Sequence, residues 1–329
     1  MQEMSYWDVM EEKHKRQKAI KEIEYHAGGN CVHIGKISPG CRDCFTGDLE
    51  KGGGIQVGSK CMAKCPMCYY PADRPEETHE SVCNKLADWF YYSNVNNAPV
   101  ISMSFQSSGE TLLYTDELSN FAVLFQKMNR ERDITTYHHL YTNGILANEE
   151  MLKTLQTMGI HELRFHVTAS KYTNSPAKNK KKVFENMYQA AKMGFTVTVE
   201  EPSYPKNKAD IFEILPILAD CGGKHLDMVE NQLTVDNIKA LKQQSNFRYY
   251  KDYFYHMYDE GLVYDVMEEV IAKGYGYSVL DCNSGVERCR HGKTQNVLFD
   301  MKSIDGMCDD FDYFSYKHPT DFYKENLLK

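Results

Sequence analysis

The 329-residue chain lacks any run of about 18 apolar residues, so no membrane-spanning helix is expected. It also lacks the apolar core of a signal peptide, because its first residues, MQEMSYWDVMEEKHKRQKAIKEIEY, are charged throughout. A cytoplasmic protein with no membrane partner is the expectation. Positive charge is in short supply as well. Lys and Arg total 38 against 46 Asp and Glu, a net charge of -8, which disfavours a nucleic-acid backbone as partner. The basic run Lys178 to Lys182 reads more simply as a solvated helix face than as a binding patch. Repeats and low-complexity tracts are absent.

Cysteine, by contrast, is abundant. Eleven in a chain with no sign of export, and an odd number, argue against a complete disulfide framework and for metal or redox use.

A charged segment from about Tyr6 to Tyr25 reads as a helix ended by Gly28 and Gly29, and Cys31 to Gly54 reads as a Gly- and Cys-rich loop. Candidate strands then follow at Ile55–Gly58, Val100–Ser107, Thr135–Tyr141, Glu162–Thr168, Thr196–Glu201 and Leu226–Asn231. Helical spacing separates them: Val82, Leu86, Trp89; Leu118, Phe121, Phe125, Met128; Met151, Leu152, Leu155, Met158; Val183, Met187, Ala190. Asn148 and Asp210 stand where helix N-caps belong, Gly144, Gly159 and Gly194 mark turns, and Pro216 should kink the fifth helix or shift its start. A further helix around Tyr249–Lys273 and a strand at Tyr275–Asp281 complete the pattern. The fold class expected is α/β, a partial (β/α)6 TIM-like barrel. Its divisions are 1–54 for the N-terminal helix and Cys-rich loop, 55–231 for the core barrel, and 232–329 for a C-terminal extension packed on it.

Each strand splits at period two into an apolar and a polar face. Ser102, Ser104 and Gln106, then Tyr137, His139 and Tyr141, then Arg164, His166 and Thr168, then Thr198 and Glu200 form the polar set. In a barrel these would line the interior, and burying them requires water, a polar ligand or mutual pairing. In an open sheet they would be a solvated face. His139, Arg164 and Glu200 are the candidate catalytic groups.

Cys61-Met-Ala-Lys-Cys65-Pro-Met-Cys68 follows the first strand directly. Such a spacing arises by chance about 0.01 times in a chain of this composition. Three thiolates on one loop can serve three irons of a 4Fe-4S cube, leaving the fourth iron without a protein ligand. A structural zinc would need a fourth ligand, for which His79 is available.

This triad resembles that of the radical SAM superfamily, which carries it after the first barrel strand. The resemblance implies a 4Fe-4S cluster on Cys61, Cys65 and Cys68 that binds and reductively cleaves S-adenosylmethionine (SAM), yielding a 5′-deoxyadenosyl radical that abstracts hydrogen from a substrate. Ser107-Ser108-Gly109-Glu110, after the second strand, is similar to the family's Gly-Gly-Glu motif, which implies that Gly109 and Glu110 meet the SAM amino group. Tyr141-Thr142-Asn143-Gly144 looks like the Thr-Asn-Gly turn of these barrels, and a plain structural turn explains it equally well. Met67 stands where the family usually has an aromatic residue beside adenine, and Tyr69 is an alternative source of a ring. His166, by strand register, takes a position near the SAM carboxylate, or is an ordinary barrel-lining residue.

Cys41, Cys44, Cys282 and Cys289 are candidate ligands of a second site, an auxiliary cluster or a structural metal; the alternative is reduced free thiols. Cys31, Cys83, Cys221 and Cys308 have no spacing partners. The expected partners are a small-molecule or peptide-derived substrate and an electron donor such as flavodoxin or ferredoxin. A non-catalytic iron-sulfur or zinc protein, an electron carrier or scaffold, is the competing reading.

Overall fold

The computed structural model describes residues 2–26, 31–41, 52–70, 80, 102–132, 136–243, 247–251 and 255–283. The first elements are strand β1 (Gln2–Met4), helix α1 (Tyr6–Gln17), the antiparallel strands β2 (Ile23–His26) and β3 (Cys31–Ile34), and β4 (Gly52–Gln56). There follow β5 (Ser102–Gln106), α2 (Thr115–Arg132), β6 (Tyr137–Thr142), α3 (Glu149–Thr157), β7 (Glu162–Phe165), α4 (Pro176–Lys192), β8 (Thr196–Ser203), α5 (Lys208–Asp220) and β9 (His225–Glu230). The chain then adds α6 (Val235–Leu241), β10 (Arg248–Lys251), β11 (Tyr255–Met257), α7 (Leu262–Lys273) and β12 (Ser278–Cys282).

Strands β4 to β9 lie side by side in chain order, all parallel, and β12 extends the run beside β9. Antiparallel β3 and then β2 continue the sheet, leaving β2 and β4 as its edges among the described residues. The fold class is therefore α/β with a partial barrel-like parallel sheet. Period-two alternation explains why it forms. Met103, Phe105, Leu163, Phe165, Val197 and Val199 are buried in one core with Phe121 and Phe125 of α2, Leu152 and Leu155 of α3, Val183 and Met187 of α4, and Ile211 and Ile214 of α5. Each such side chain contributes about 1.5–3 kcal/mol of burial.

The polar faces are not solvated. Ser102, His139, Arg164 and Thr198 are all buried, which removes the open-sheet reading for them. The segment after β3 covers them: Gly40 packs so tightly that a Cβ there would stand 2.6 Å from an Arg164 guanidinium nitrogen and 2.9 Å from His139 Nδ1.

Several expectations need correction. The N-terminal helix stops at Gln17, and the chain turns into β2 within the span expected to be helical. The supposed loop from Cys31 to Gly54 begins with β3 and ends inside β4, whose first three residues are glycines and carry no side-chain pattern. The helix expected over Tyr249–Lys273 is β10, β11 and only then α7. Asp210 lies within the first turn of α5 and pairs with Lys171 at 2.5 Å, so it is not the N-cap. α5 also runs on through Pro216. Asn148 does cap α3, accepting from Met151 N at 3.0 Å. Gly144, Gly159 and Gly194 all have positive φ, as turn glycines should. Lys178 to Lys182 lie on α4, where Lys180 pairs with Glu213 and Lys181 with Glu185, a solvated helix face. The helix read at Val82, Leu86 and Trp89, together with Cys44, His79, Cys83, Cys289 and Cys308, lies outside the described residues.

The N-terminal helix is tied to the far half of the chain. Buried Lys13 of α1 donates to Glu230 at the end of β9 at 2.9 Å, and Tyr250 of β10 donates to the same carboxylate. Strand β1 pairs with β10, which pairs with β11, in a small second sheet.

Candidate functional site

In parallel α/β sheets ligands gather at the C-terminal ends of the strands, and the cysteine triad leaves the sheet there, from the end of β4. Its loop is clamped at three places. At its start, the Tyr114 hydroxyl accepts the N–H groups of Ser59 (2.9 Å) and Lys60 (2.6 Å), and Glu110 N donates to Lys60 O at 2.8 Å. Gly109 presses on the same two residues: a Cβ there would lie 2.1 Å from Lys60 O and 2.5 Å from Ser59 O. In its middle, Lys64 N donates to Tyr172 O at 2.9 Å, at the end of a tight helical turn (Val167–Tyr172) that follows β7. At its end, Cys68 N closes a turn onto Cys65 O (3.1 Å), and Asn237 Nδ2 of α6 donates to Met67 O at 3.2 Å.

Cys61, Cys65 and Cys68 are free thiols, Cys61 exposed and the others partly so. Burial pushes the pKa of all three up. Cys65 is raised further by both other thiols, and Cys68 by Cys61, so the three stand within electrostatic reach of one another. Among the described residues, no three His, Cys, Asp or Glu side chains are gathered tightly enough for one metal ion.

Glu110 is fully buried. Its carboxylate accepts from Thr142 Oγ1 (2.6 Å), Asn143 N (2.7 Å) and Leu112 N (3.0 Å), joining the loop after β5 to the turn after β6. Burial raises its pKa against these hydrogen bonds. Here the glutamate braces the mouth of the sheet. Met67 is only 2% exposed and its side chain packs in a cluster with Tyr204, Leu233, Ile238, Leu241, Phe247, Tyr249 and Met257. The neighbouring Tyr69 and Tyr70 rings stack at 4.6 Å. Tyr69 lies close enough to Glu200 for that carboxylate to raise its pKa, behind the larger effects of Tyr70 and burial.

His166, at the end of β7, places Nε2 3.6 Å from Glu201 Oε2. Glu201, fully buried, accepts from Thr168 N (2.9 Å) and Thr168 Oγ1 (2.5 Å), and burial raises its pKa to about 8.

Deeper between the strands, Arg164 is 3% exposed and gathers the acids around it. Its nitrogens stand 2.9 Å from Glu162, 3.0 Å from Asp227 and 3.5 Å from Glu200, and they donate to Ser38 Oγ (3.3 Å), Cys41 Sγ (3.1 Å) and Tyr141 OH (3.2 Å). Burial opposes the charge on Glu162, but Arg164 and His139 outweigh it and hold the pKa at about 2. His139 is drawn down to about 3, first by burial and then by Arg164, so it is neutral. Glu200 differs from both. Its side chain is 25% exposed, and burial lifts its pKa to about 7. Of the three candidate catalytic groups, Arg164 and His139 are buried within this network and Glu200 is partly exposed.

Cys41 belongs to this network, donating to Asp227 Oδ2 at 3.1 Å, and lies within electrostatic reach of Cys282 at the end of β12. The N-terminal segment and the C-terminal strand therefore meet, while the other two members of the candidate second site, Cys44 and Cys289, are outside the described residues.

Sequence reading missed Tyr114, Glu162, Glu201, Asp227 and Asn237. Glu162 shares strand parity with Arg164, a signal that was there to be used. Glu201 shares parity with Val197 and Val199 and so looked like part of the outward face.

No family profile and no curated protein matches the chain. Solved structures do. Native anSMEcpe with bound AdoMet superposes with a TM-score of 0.50 at 15% identity, over 69% of this chain and 64% of that one. The chain has the fold of this AdoMet-bound structure. Streptococcus suis SuiB bound to S-adenosylmethionine (TM-score 0.43, 13% identity, 68% of this chain and 45% of that one) is a more distant match. TYW1 with a lysine-pyruvate adduct bound is another (TM-score 0.40, 14% identity, 76% and 96%). The chain spans less than two thirds of the length of anSMEcpe and SuiB. No helix among its described residues is long and apolar enough to cross a membrane.

Proposed function

We propose that this protein is a radical SAM enzyme that holds a 4Fe-4S cluster on Cys61, Cys65 and Cys68 and acts on a polar small-molecule or peptide-derived substrate. The observation that carries this reading is the placement of the triad loop. It sits at the C-terminal end of β4, clamped by Tyr114 and Glu110 after β5, by Tyr172 after β7 and by Asn237 of α6, in a fold shared with a structure that has AdoMet bound. A cluster there would supply the electron that splits SAM into methionine and a 5′-deoxyadenosyl radical, which takes a hydrogen atom from the substrate.

The chain's own groups have separable tasks in this reading. Gly109 and Glu110 bring the loop after β5 against the triad loop, and Glu110 also fixes the Thr142-Asn143 turn beside it. Tyr69 supplies the aromatic ring that Met67 does not. His166 reaches the same strand ends, next to Glu201. Glu200, whose pKa burial lifts to about 7, can hold or release a proton at Oε2 on a partly exposed edge of the Arg164 network. Reduction of the cluster calls for a cytoplasmic electron donor of the flavodoxin or ferredoxin kind.

The test is anaerobic reconstitution with iron and sulfide, addition of dithionite and SAM, and mass spectrometry of the products. Wild-type protein should release 5′-deoxyadenosine and the Cys65→Ala variant should not. A reconstituted protein that carries the cluster but leaves SAM intact would instead be an electron carrier or scaffold.

A further inference from the structure

The segment between the second and third cysteines is held from a distance of 170 residues. Cys65-Pro66-Met67-Cys68 forms a turn closed by the Cys68 N–H on Cys65 O at 3.1 Å. The peptide linking Met67 to Cys68 is planar and moves as one unit, so whatever grips the Met67 carbonyl also orients the Cys68 N–H and the backbone from which its thiol projects. Asn237 grips it. Its Nδ2 donates to Met67 O at 3.2 Å and to Gln232 O at 2.8 Å. Its Oδ1 is fixed by Thr234 N at 2.9 Å in the capping box that starts α6. Asn237 is itself buried, and the Met67 side chain is buried beside it against Ile238 and Leu241 of the same helix.

We propose that Asn237 is a positioning residue of the cluster: through the Met67 carbonyl it sets the Cys65–Cys68 turn and so the placement of two of the three thiolates. This rests on the cluster assignment made above. Groups that orient metal ligands without touching the metal alter affinity by about 10–100-fold when lost.

Asn237→Asp isolates the effect. The aspartate keeps the acceptor for Thr234 N, and it adds negative charge to the first turn of α6, which favours the helix. It loses both donors and sets a carboxylate against two carbonyls. Thr234→Ala is the control, since it removes the hydroxyl that accepts from Asn237 N at 3.3 Å but no bond to the triad loop. Each protein is reconstituted anaerobically, and iron loss to a ferrous chelator is followed alongside the electron paramagnetic resonance spectrum of the reduced cluster with and without SAM. Asn237→Asp should lose iron about 10-fold faster than wild type and show an altered spectrum at a temperature where the metal-free protein is still folded, its melting temperature lowered by the buried carboxylate that now faces two carbonyls. Thr234→Ala should keep wild-type iron retention. Wild-type iron loss and spectrum in Asn237→Asp would overturn the inference, as would equal acceleration in Thr234→Ala, which would assign the effect to the helix. Failure of the wild-type protein to take up any cluster would overturn the proposed function, and this inference with it.

Discussion

Thr142 Oγ1 donates to Glu110 Oε1 at 2.6 Å, joining the turns that follow two adjacent parallel strands. With Asn143 N and Leu112 N on the same carboxylate, Glu110 is the acceptor for three donors at a site closed to solvent. Glu110→Ala should therefore destabilise the protein before any ligand is added, by a few kcal/mol, at about 1–3 kcal/mol for each buried donor left unpaired. It should weaken SAM binding as a consequence. Thermal melts without SAM and equilibrium binding with it separate the two effects. An unchanged melt with weakened binding would mean that the carboxylate meets the ligand directly and does not act as a brace.

Gly109 offers a sharper probe of the triad loop. An alanine Cβ would need to lie 2.1 Å from Lys60 O, which is backbone and cannot rotate aside as a flexible side chain would. Gly109→Ala should displace the start of the loop and reduce iron uptake well below the roughly four irons per chain of a single cube. Iron and sulfide quantification after reconstitution measures this. Full occupancy in the variant would show that the close approach is irrelevant to the cluster.

The parallel strands and the triad were legible in the sequence because both are local patterns. Leu163, Arg164 and Phe165 already show the two faces of β7, and the three cysteines span eight residues. The segments misread were those whose form depends on a distant partner. Strand β10 is four residues and β11 three, and they are strands because β1, almost 250 positions earlier, pairs with β10. The same logic hid much of the site. Tyr114 and Asn237 act on backbone atoms of the triad loop, 54 or more residues away, and a backbone carbonyl or amide leaves no mark in a sequence. Met67 stood in a motif position that suggests a ligand contact, and only the packing of α6 and β10 shows its side chain to be a buried anchor.

Arg164 is a candidate catalytic group whose surroundings predict a large effect on stability. It is the cation shared by Glu162, Asp227 and Glu200, and it hydrogen-bonds Ser38 and Cys41 of the covering segment. Arg164→Met keeps much of the volume but leaves buried acids without their partner, a loss of about 3–5 kcal/mol. Chemical denaturation should show this in the metal-free protein. A variant of wild-type stability that had lost substrate turnover alone would show that Arg164 serves the chemistry and not the fold.

Glu201 makes a prediction about pH. Burial holds its folded-state pKa at about 8, against the ordinary 4.5, despite the hydrogen bonds from Thr168. The folded protein thus keeps this proton through a range in which the unfolded chain has lost it. The stability contributed by the neutral carboxyl is fully present below about pH 4.5 and is lost as pH rises through about 8, with a slope approaching 1.4 kcal/mol per pH unit for one proton. Glu201→Gln mimics the neutral group and removes that titration. The difference in melting temperature between variant and wild type should therefore shift in favour of the variant from pH 5 to pH 8. If Gln costs stability through poorer geometry with Thr168, that cost is a constant offset, and the slope of the difference against pH still reports the titration. Parallel stability curves for the two proteins across the window would show that Glu201 is ionised in the folded state at neutral pH, and that His166 beside it, 3.6 Å away, faces a charge.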